Sequence, residues 1–210
     1  GGRAILHTDE LTYSVCGPLD EPRLAGSVLE SYRQLSQALL LALHLLGVPA
    51  EAREKPQVNQ NSSLSQIPLQ NSNGSMPIQP ICFEVPSNYE ITVQGKKLIG
   101  SAQARRKEGV LQHGSFPLWG DLTRITQVLI YASDSDRLNA AERLLNRAAT
   151  LESVAKKHVA WDEVARVFCT AFEKALNLKL ISGEPTENEL ERAETLMSEK
   201  YANPQWLEKT

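Results

Sequence analysis

A thiol, an ammonium and a run of small residues are the groups in this sequence best suited to covalent chemistry. Cys82 opens the segment Cys82-Phe83-Glu84-Val85-Pro86-Ser87-Asn88-Tyr89-Glu90. Lys97 follows in Gly95-Lys96-Lys97-Leu98-Ile99, and Gly100-Ser101-Ala102-Gln103 comes directly after it. A thiolate is a strong nucleophile, and a nearby cation favours the ionised form. Leu98 and Ile99 suit a core, so the Lys97 ammonium is expected to be partly desolvated. The small residues at 100–102 let a ligand approach the backbone closely. A plainer set of readings stands beside these. Cys82 can be a small buried strand residue, Lys97 a snorkelling edge lysine and Gly100 a bulge. The residue types alone leave both sets open.

The other cysteines, Cys16 and Cys169, read as apolar packing residues. An odd count of three with scattered spacing is no disulfide framework, and no Cys/His cluster has metal-ligand spacing. No metal site is therefore expected, and a reducing cytoplasm is the expected compartment.

Positioning these groups requires a sheet. Ala4 to His7 and Leu11 to Val15 read as short strands. Ser27 and Glu30 form a capping box ahead of a helix carrying Leu29, Tyr32, Leu35, Leu39, Ala42, Leu43 and Leu46 at helical spacing. Gly47 and Pro49 stop it. Residues 56–80 contain no charge and are rich in Asn, Gln, Ser and Pro, so 53–80 reads as a flexible insertion. Strands are expected at Ile81 to Val85, Glu90 to Val93, Lys97 to Ala104 and Gly109 to Phe116, with Gln94-Gly95 as a hairpin turn. Helical patterns follow at Leu122 to Leu129, Leu138 to Leu151 and Trp161 to Leu176. A last helix opens on the capping box of Thr186 and Glu189 and runs to about Tyr201. The expected class is α+β, a mainly antiparallel sheet packed with helices. A catalytic domain at 1–180 and a helical tail at 181–210 are the expected divisions.

Composition closes off other functions. The 210 residues carry 22 Lys and Arg against 25 Asp and Glu, a net charge of -3. That balance argues against binding nucleic acid through its phosphates. The longest apolar run, near Leu39 to Leu46, is broken by His44 and too short to span a bilayer, so no membrane partner is expected.

Several ordered segments carry a family likeness. Gly1-Gly2-Arg3-Ala4-Ile5-Leu6-His7, Leu11-Thr12-Tyr13-Ser14-Val15, the Gly-Lys-Lys-Leu-Ile-Gly-Ser-Ala-Gln segment and Leu111-Gln112-His113-Gly114-Ser115 together resemble the biotin/lipoate A/B protein ligase family. Lys200-Tyr201 and Trp206 resemble its C-terminal pattern. The resemblance implies an α+β catalytic domain of the class II synthetase and biotin-ligase type. It implies passage of an octanoyl or lipoyl group to a lysine of a carrier domain. Lys97 would be the shared catalytic residue, its cation holding the acyl oxygen as charge develops. Gly1, Gly2, Arg3, His7, Gly100, Ser101, Ala102, Gln103, His113 and Gly114 would line the acyl pocket. His113 could serve as a general base or only shape the wall. Complete members place a helix, further strands and an Arg-Arg segment before the glycines. The resemblance thus implies a domain lacking its N-terminal part, with an open sheet face and a partly walled pocket.

The family's branches differ in activation. ATP-dependent ligases form an acyl-adenylate, with ATP and Mg as cofactors. The octanoyltransferase branch uses a cysteine thioester and no cofactor, and Cys82 matches its Cys-Phe-Glu-x-Pro-Ser-x-Tyr-Glu context. The first expectation is therefore transfer of octanoyl from acyl carrier protein, through Cys82, to a lipoyl domain or a glycine-cleavage H-type protein. The second is a lipoate–protein ligase in which Lys97 is essential and Cys82 incidental. The third is a non-enzymatic relative that keeps the pocket.

Overall fold

The computed structural model describes residues 3–54, 81–84 and 89–208. Gly1, Gly2, residues 55–80 and residues 85–88 lie outside the described residues, and with them most of the expected insertion. The chain falls into two units, Gly1–Leu178 and Lys179–Thr210.

The first unit is built on a five-stranded, wholly antiparallel sheet. Its strands are β1 (Glu10–Gly17), β2 (Glu51–Glu54), β3 (Tyr89–Val93), β4 (Lys96–Arg106) and β5 (Gly109–Pro117), in the order β1-β5-β4-β3-β2. The β3–β4 hairpin turns on Gln94 (φ 50°) and Gly95 (φ 79°), where two left-handed residues match the twist of the flanking strands. β2 escaped the sequence pattern because Glu-Ala-Arg-Glu alternates charge with little apolar content. It lies at a sheet edge, where charged residues are common.

Helices α1 (Val28–Leu45) and α4 (Trp161–Leu176) cover one face. The Ser27–Glu30 capping box is closed both ways, at 3.2 and 2.7 Å, and satisfies N-terminal donors that the helix leaves free. α1 buries Leu35, Ala38, Leu39, Ala42 and Leu43, and α4 buries Val164, Phe168, Ala171 and Leu176. These stripes meet Leu11, Ile91, Val93, Ile99 and Phe116 of the sheet. Phe116 and Phe168 stack with centroids 5.6 Å apart.

The opposite face is only partly covered. Ile81, Phe83, Ile125, Leu144 and Ala148 cluster there with Ala4, Ile5 and Leu6. Beyond that cluster, Thr12, Ser14, Ala102, Ala104, Leu111 and His113 are exposed. In register they alternate with core-facing neighbours across β1, β5 and β4, so they form one open strip of sheet.

Five expectations are corrected. Arg53 and Glu54, expected at the start of the insertion, end strand β2 and pair with β3. Residues 4–7 form no strand, since only Ala4 pairs, in a parallel bridge with Ile81. Cys82–Glu84 is a 3₁₀ turn instead of strand. The pattern at Leu138 to Leu151 is two helices, α2 (Asp134–Arg147) and α3 (Leu151–Ala155). Ala148 turns extended to bridge Lys97, and Thr150 starts the new helix by a capping box with Ser153. Cys16 and Cys169 are exposed rather than packed. Cys16 falls on the open strip with Thr12 and Ser14, and Cys169 lies outside the buried stripe of α4.

The second unit holds α5 (Glu187–Leu196), capped by Thr186 and Glu189, a π-helical turn at Met197–Tyr201 and α6 (Pro204–Leu207). None of its described helical residues is buried. Tyr201 and Trp206 meet edge-on at 5.1 Å, and the Lys200 ammonium lies 5.0 Å from the Tyr201 ring centre. Among the described residues, no helix is long and apolar enough to cross a membrane.

Candidate active site

A bulge determines where Lys97 points. Ile91 pairs with Ile99 and Thr92 with Lys97, so Leu98 is the extra residue on β4. In a regular strand Lys97 and Ile99 would share a face. The extra residue moves Lys97 to the face opposite Ile99, the side that bears Gly100 and Ala102. Lys97 is only 5% exposed. Its Nζ lies 3.1 Å from Glu90 Oε1 and 5.4 Å from the centre of the Phe83 ring. The buried cation therefore has an anionic partner and an aromatic face, as burial of a charge demands.

Gly100 makes that arrangement possible. A Cβ there would stand 3.1 Å from Lys97 Cε and 3.3 Å from Phe83 Cζ. Lys97, Gly100 and Phe83 thus form one contact set, and Phe83 is the residue next to Cys82. Cys82 is half-buried, and its backbone N–H donates to the Ala4 carbonyl at 2.9 Å. The turn at 82–84 is in this way tied to the segment following the N-terminal glycines.

The remaining expected site residues divide between the two faces. Ala102 and His113 pair in register and lie on the face of Gly100, both exposed. His7 is exposed and contacts the Glu10 carboxylate. Ser115, which pairs with Gly100, donates from Oγ to the same Glu10 carboxylate at 3.4 Å. Arg3 is exposed; Gly1 and Gly2 lie outside the described residues.

Ser101, Gln103 and Gly114 occupy the opposite face, under α1 and α4. Ser101 Oγ and Tyr13 Oη share a hydrogen bond of 2.7 Å. Gln112 Nε2 donates to Tyr13 Oη at 3.1 Å. Gln103 Nε2 donates to Gln112 Oε1 at 2.9 Å and to Ser31 Oγ at 3.0 Å. A Cβ on Gly114 would lie 2.5 Å from Tyr13 Cε1 and 2.7 Å from the Gly100 carbonyl. These three residues lie on the face away from Lys97, with Gly114 buried and Ser101 and Gln103 half-buried. Burial raises the Tyr13 phenol above its ordinary value, against the lowering effect of its bonds with Ser101 and Gln112.

Sequence reasoning missed Glu90 and Phe83 as partners of Lys97. Glu90 could have been found from the hairpin. With Thr92 opposite Lys97 across a two-residue turn, Glu90 lies two residues along β3 on the same face. Phe83 had no such signal, because its turn is not regular structure. An apolar cleft of about 50 Å³ adjoins the site, with Ile5, Leu6, Ile81, Phe83, Ile125 and Leu144 in its walls. Among the described residues, no group of three or more His, Cys, Asp or Glu side chains could hold a metal ion.

Comparison with known proteins gives a consistent result. The model of the lipoyl protein ligase A/B catalytic domain matches residues 1–173. The chain is 35% identical over 207 residues to Octanoyltransferase LipM of Carboxydothermus hydrogenoformans, covering 99% of this chain and 71% of that protein. It is 34% identical over 206 residues to Octanoyltransferase LipM of Bacillus subtilis, covering 98% and 70%. Among solved structures, the bi-partite lipoate protein ligase of Thermoplasma acidophilum aligns with a TM-score of 0.66 at 21% identity, over 94% of this chain. A lipoate-protein ligase A bound with ATP aligns at 0.62 and 22%, again over 94% of this chain. At these identities the likeness is one of fold. The chain spans 63% and 64% of the two solved chains.

Proposed function

The chain belongs to the lipoyl protein ligase A/B catalytic domain family, and from that premise we propose that it is an octanoyltransferase of protein lipoylation. It takes an octanoyl group from acyl carrier protein onto Cys82. It then passes the group to a lysine of a lipoyl domain or a glycine-cleavage H-type protein. The observation that carries the reading is the buried Lys97 ammonium, held beside Gly100 and against Phe83, the residue that follows Cys82.

The chemistry runs in two displacements. The Cys82 thiolate adds to the thioester carbonyl, and the carbonyl electron pair moves onto oxygen. The Lys97 ammonium stabilises that oxyanion, a type of contribution worth about 10²- to 10³-fold in rate. Collapse breaks the old C–S bond. The departing carrier thiolate takes up the proton that Cys82 released. One thioester replaces another, so the step is nearly isoenergetic. In the second displacement the neutral amine of the acceptor lysine attacks the Cys82 thioester. The C–S bond breaks, the amide forms and the amine proton goes to the Cys82 sulfur. The amide is the more stable product, so no ATP is consumed. Cysteine suits both steps because its thiolate is a good nucleophile and a good leaving group.

The face bearing Lys97, Gly100, Ala102 and His113 is the acyl surface in this reading. Its small residues let a flat thioester group lie close to the strands.

The test is transfer from octanoyl-acyl carrier protein to an apo acceptor domain without ATP, followed by intact-mass spectrometry. An octanoyl adduct on the enzyme that Cys82→Ser abolishes, together with loss of transfer, is the expected outcome. Transfer that requires ATP and ignores Cys82→Ser would mean a ligase acting through an acyl-adenylate. No transfer under either condition would mean a non-catalytic relative.

A further inference from the structure

We propose that Glu90 is the positioning residue for Lys97 in acyl transfer. The inference rests on the reading above and extends it to a side chain that touches no reacting atom. Glu90 Oε1 lies 3.1 Å from Lys97 Nζ, and the two side chains are 14% and 6% exposed. An ammonium so far from water is costly to bury without a paired charge. Thr92, across the ladder from Lys97, cannot neutralise that charge, and its buried hydroxyl has no hydrogen-bond partner among the described residues. Glu90 supplies the countercharge.

The geometry adds direction to the pairing. A lysine ammonium has three donors and rotates freely on a flexible stem. The Glu90 carboxylate pairs with the ammonium on one side and the Phe83 ring stands 5.4 Å away. Gly100 gives the stem its space, with a would-be Cβ only 3.1 Å from Lys97 Cε. Ammonium donors not turned toward Glu90 are left for an incoming carbonyl oxygen. Preorganisation of this kind avoids reorienting the cation as the oxyanion forms. Phe83 and Cys82 are chain neighbours, so a shift of the ammonium off Glu90 also changes its place relative to the nucleophile's turn.

The experiment compares Glu90→Gln, Glu90→Asp, Lys97→Gln and the Glu90→Gln/Lys97→Gln double variant. Single-turnover formation of the octanoyl adduct and steady-state transfer are both measured. Glu90→Gln should lower kcat by about 10- to 100-fold, the loss of one charge-assisted contact, and leave KM for the octanoyl carrier within about two-fold. Glu90→Asp keeps the charge at shorter reach and should recover part of the rate. In the Lys97→Gln background, Glu90→Gln should cost little more, because its effect runs through Lys97. Glu90→Gln within two-fold of wild type overturns the proposal. So does an Asp variant no faster than Gln, a loss confined to KM, or losses that multiply in the double variant. Should Glu90→Gln not fold, the Asp variant and its cycle with Lys97→Gln decide the matter. Failure of the underlying reading is separate, because it shows as transfer that survives Cys82→Ser. The Glu90–Lys97 coupling can then be read on whatever acyl transfer remains.

Discussion

Lys97, Gly100, Ala102 and His113 lie on one face of β4 and β5, and Ser101, Gln103 and Gly114 lie on the other. The two sets interleave along the same strands, yet their surroundings are opposite. Behind the sheet, every motif residue is occupied. Ser101 bonds Tyr13, Gln103 bonds Gln112 and Ser31, and Gly114 is pressed by the Tyr13 ring. In front, Ala102 and His113 are exposed, while Lys97 is enclosed by Glu90 and Phe83 and Ser115 is buried against Glu10. A run such as Gly-Ser-Ala-Gln therefore serves two masters, since alternation sends each successive side chain to the other face. In the proposed reaction the front face receives the reacting group and the back face keeps the strands in place. Substitutions should separate into those that stop chemistry and those that loosen the fold.

The largest effect should come from the front. In the proposed reaction Lys97→Ala removes the oxyanion donor, so it should lower acyl transfer by about 10²- to 10³-fold or more. It also leaves the Glu90 carboxylate without its cation, so the unfolding midpoint should fall. Restoring it with Glu90→Gln in the same chain should recover stability without activity. That separation is checked by denaturant unfolding beside the transfer assay. Recovery of activity with stability would break the division between the faces.

Gly114→Ala attacks the back. Its Cβ would meet Tyr13 Cε1 at 2.5 Å and the Gly100 carbonyl at 2.7 Å, and a backbone atom cannot swing away. A loss of about 1–3 kcal/mol or more is expected from such overpacking. Turnover per folded molecule should change far less than for Lys97→Ala. Gly100→Ala is the front-face counterpart and the milder change. Its Cβ meets only side-chain atoms, at 3.1 and 3.3 Å. These can yield by a few tenths of an ångström, but the atoms that yield belong to Lys97 and Phe83. Activity should fall by about 10-fold, while stability changes by less than about 1 kcal/mol.

The front–back division was only half legible in the sequence. Periodicity gave α4 to its observed ends, and with the capping box and the Gly47 and Pro49 stop it gave α1, because a buried stripe repeats at 3.6 residues. The Gln94-Gly95 turn and the three long strands followed from turn chemistry and alternation. The bulge at Leu98 did not, and without it Lys97 falls on the same face as Ile99. Glu90 and Phe83 were invisible as partners because they depend on ladder register and on an irregular turn. Ser101, Gln103 and Gly114 read as pocket residues because they belong to the same motifs as Gly100 and His113. Adjacency in a motif does not tell which face of the sheet each residue takes. The cysteines of the exposed surface, Cys16 and Cys169, were misread for a related reason. A general tendency of free thiols to be buried said nothing about which face each one took.

The smallest expected effect tests the back face through its acidity. Burial raises the phenol of Tyr13, and burial drives that of Tyr32 up to about 12, with nearby Tyr13 adding to the rise. Both groups are neutral when protonated. Below the unfolded value of about 10, folded and unfolded chains bind the same phenol protons, and the stabilisation is fully present. As pH rises through 10 the unfolded chain ionises first, so stability falls, and Tyr32 continues to contribute to that fall up to about 12. Tyr13→Phe removes one of the two titrations and the bonds to Ser101 and Gln112. It should cost about 1 kcal/mol near neutral pH, because the buried Gln112 and the half-buried Ser101 lose their contact. It should also flatten the alkaline loss relative to wild type. Urea unfolding between about pH 8 and 11 reads both quantities. An unchanged alkaline slope would mean that the Tyr13 hydroxyl is wetter than its place under α4 requires. Octanoyl transfer at neutral pH should be almost unaltered, since Tyr13 points away from Lys97.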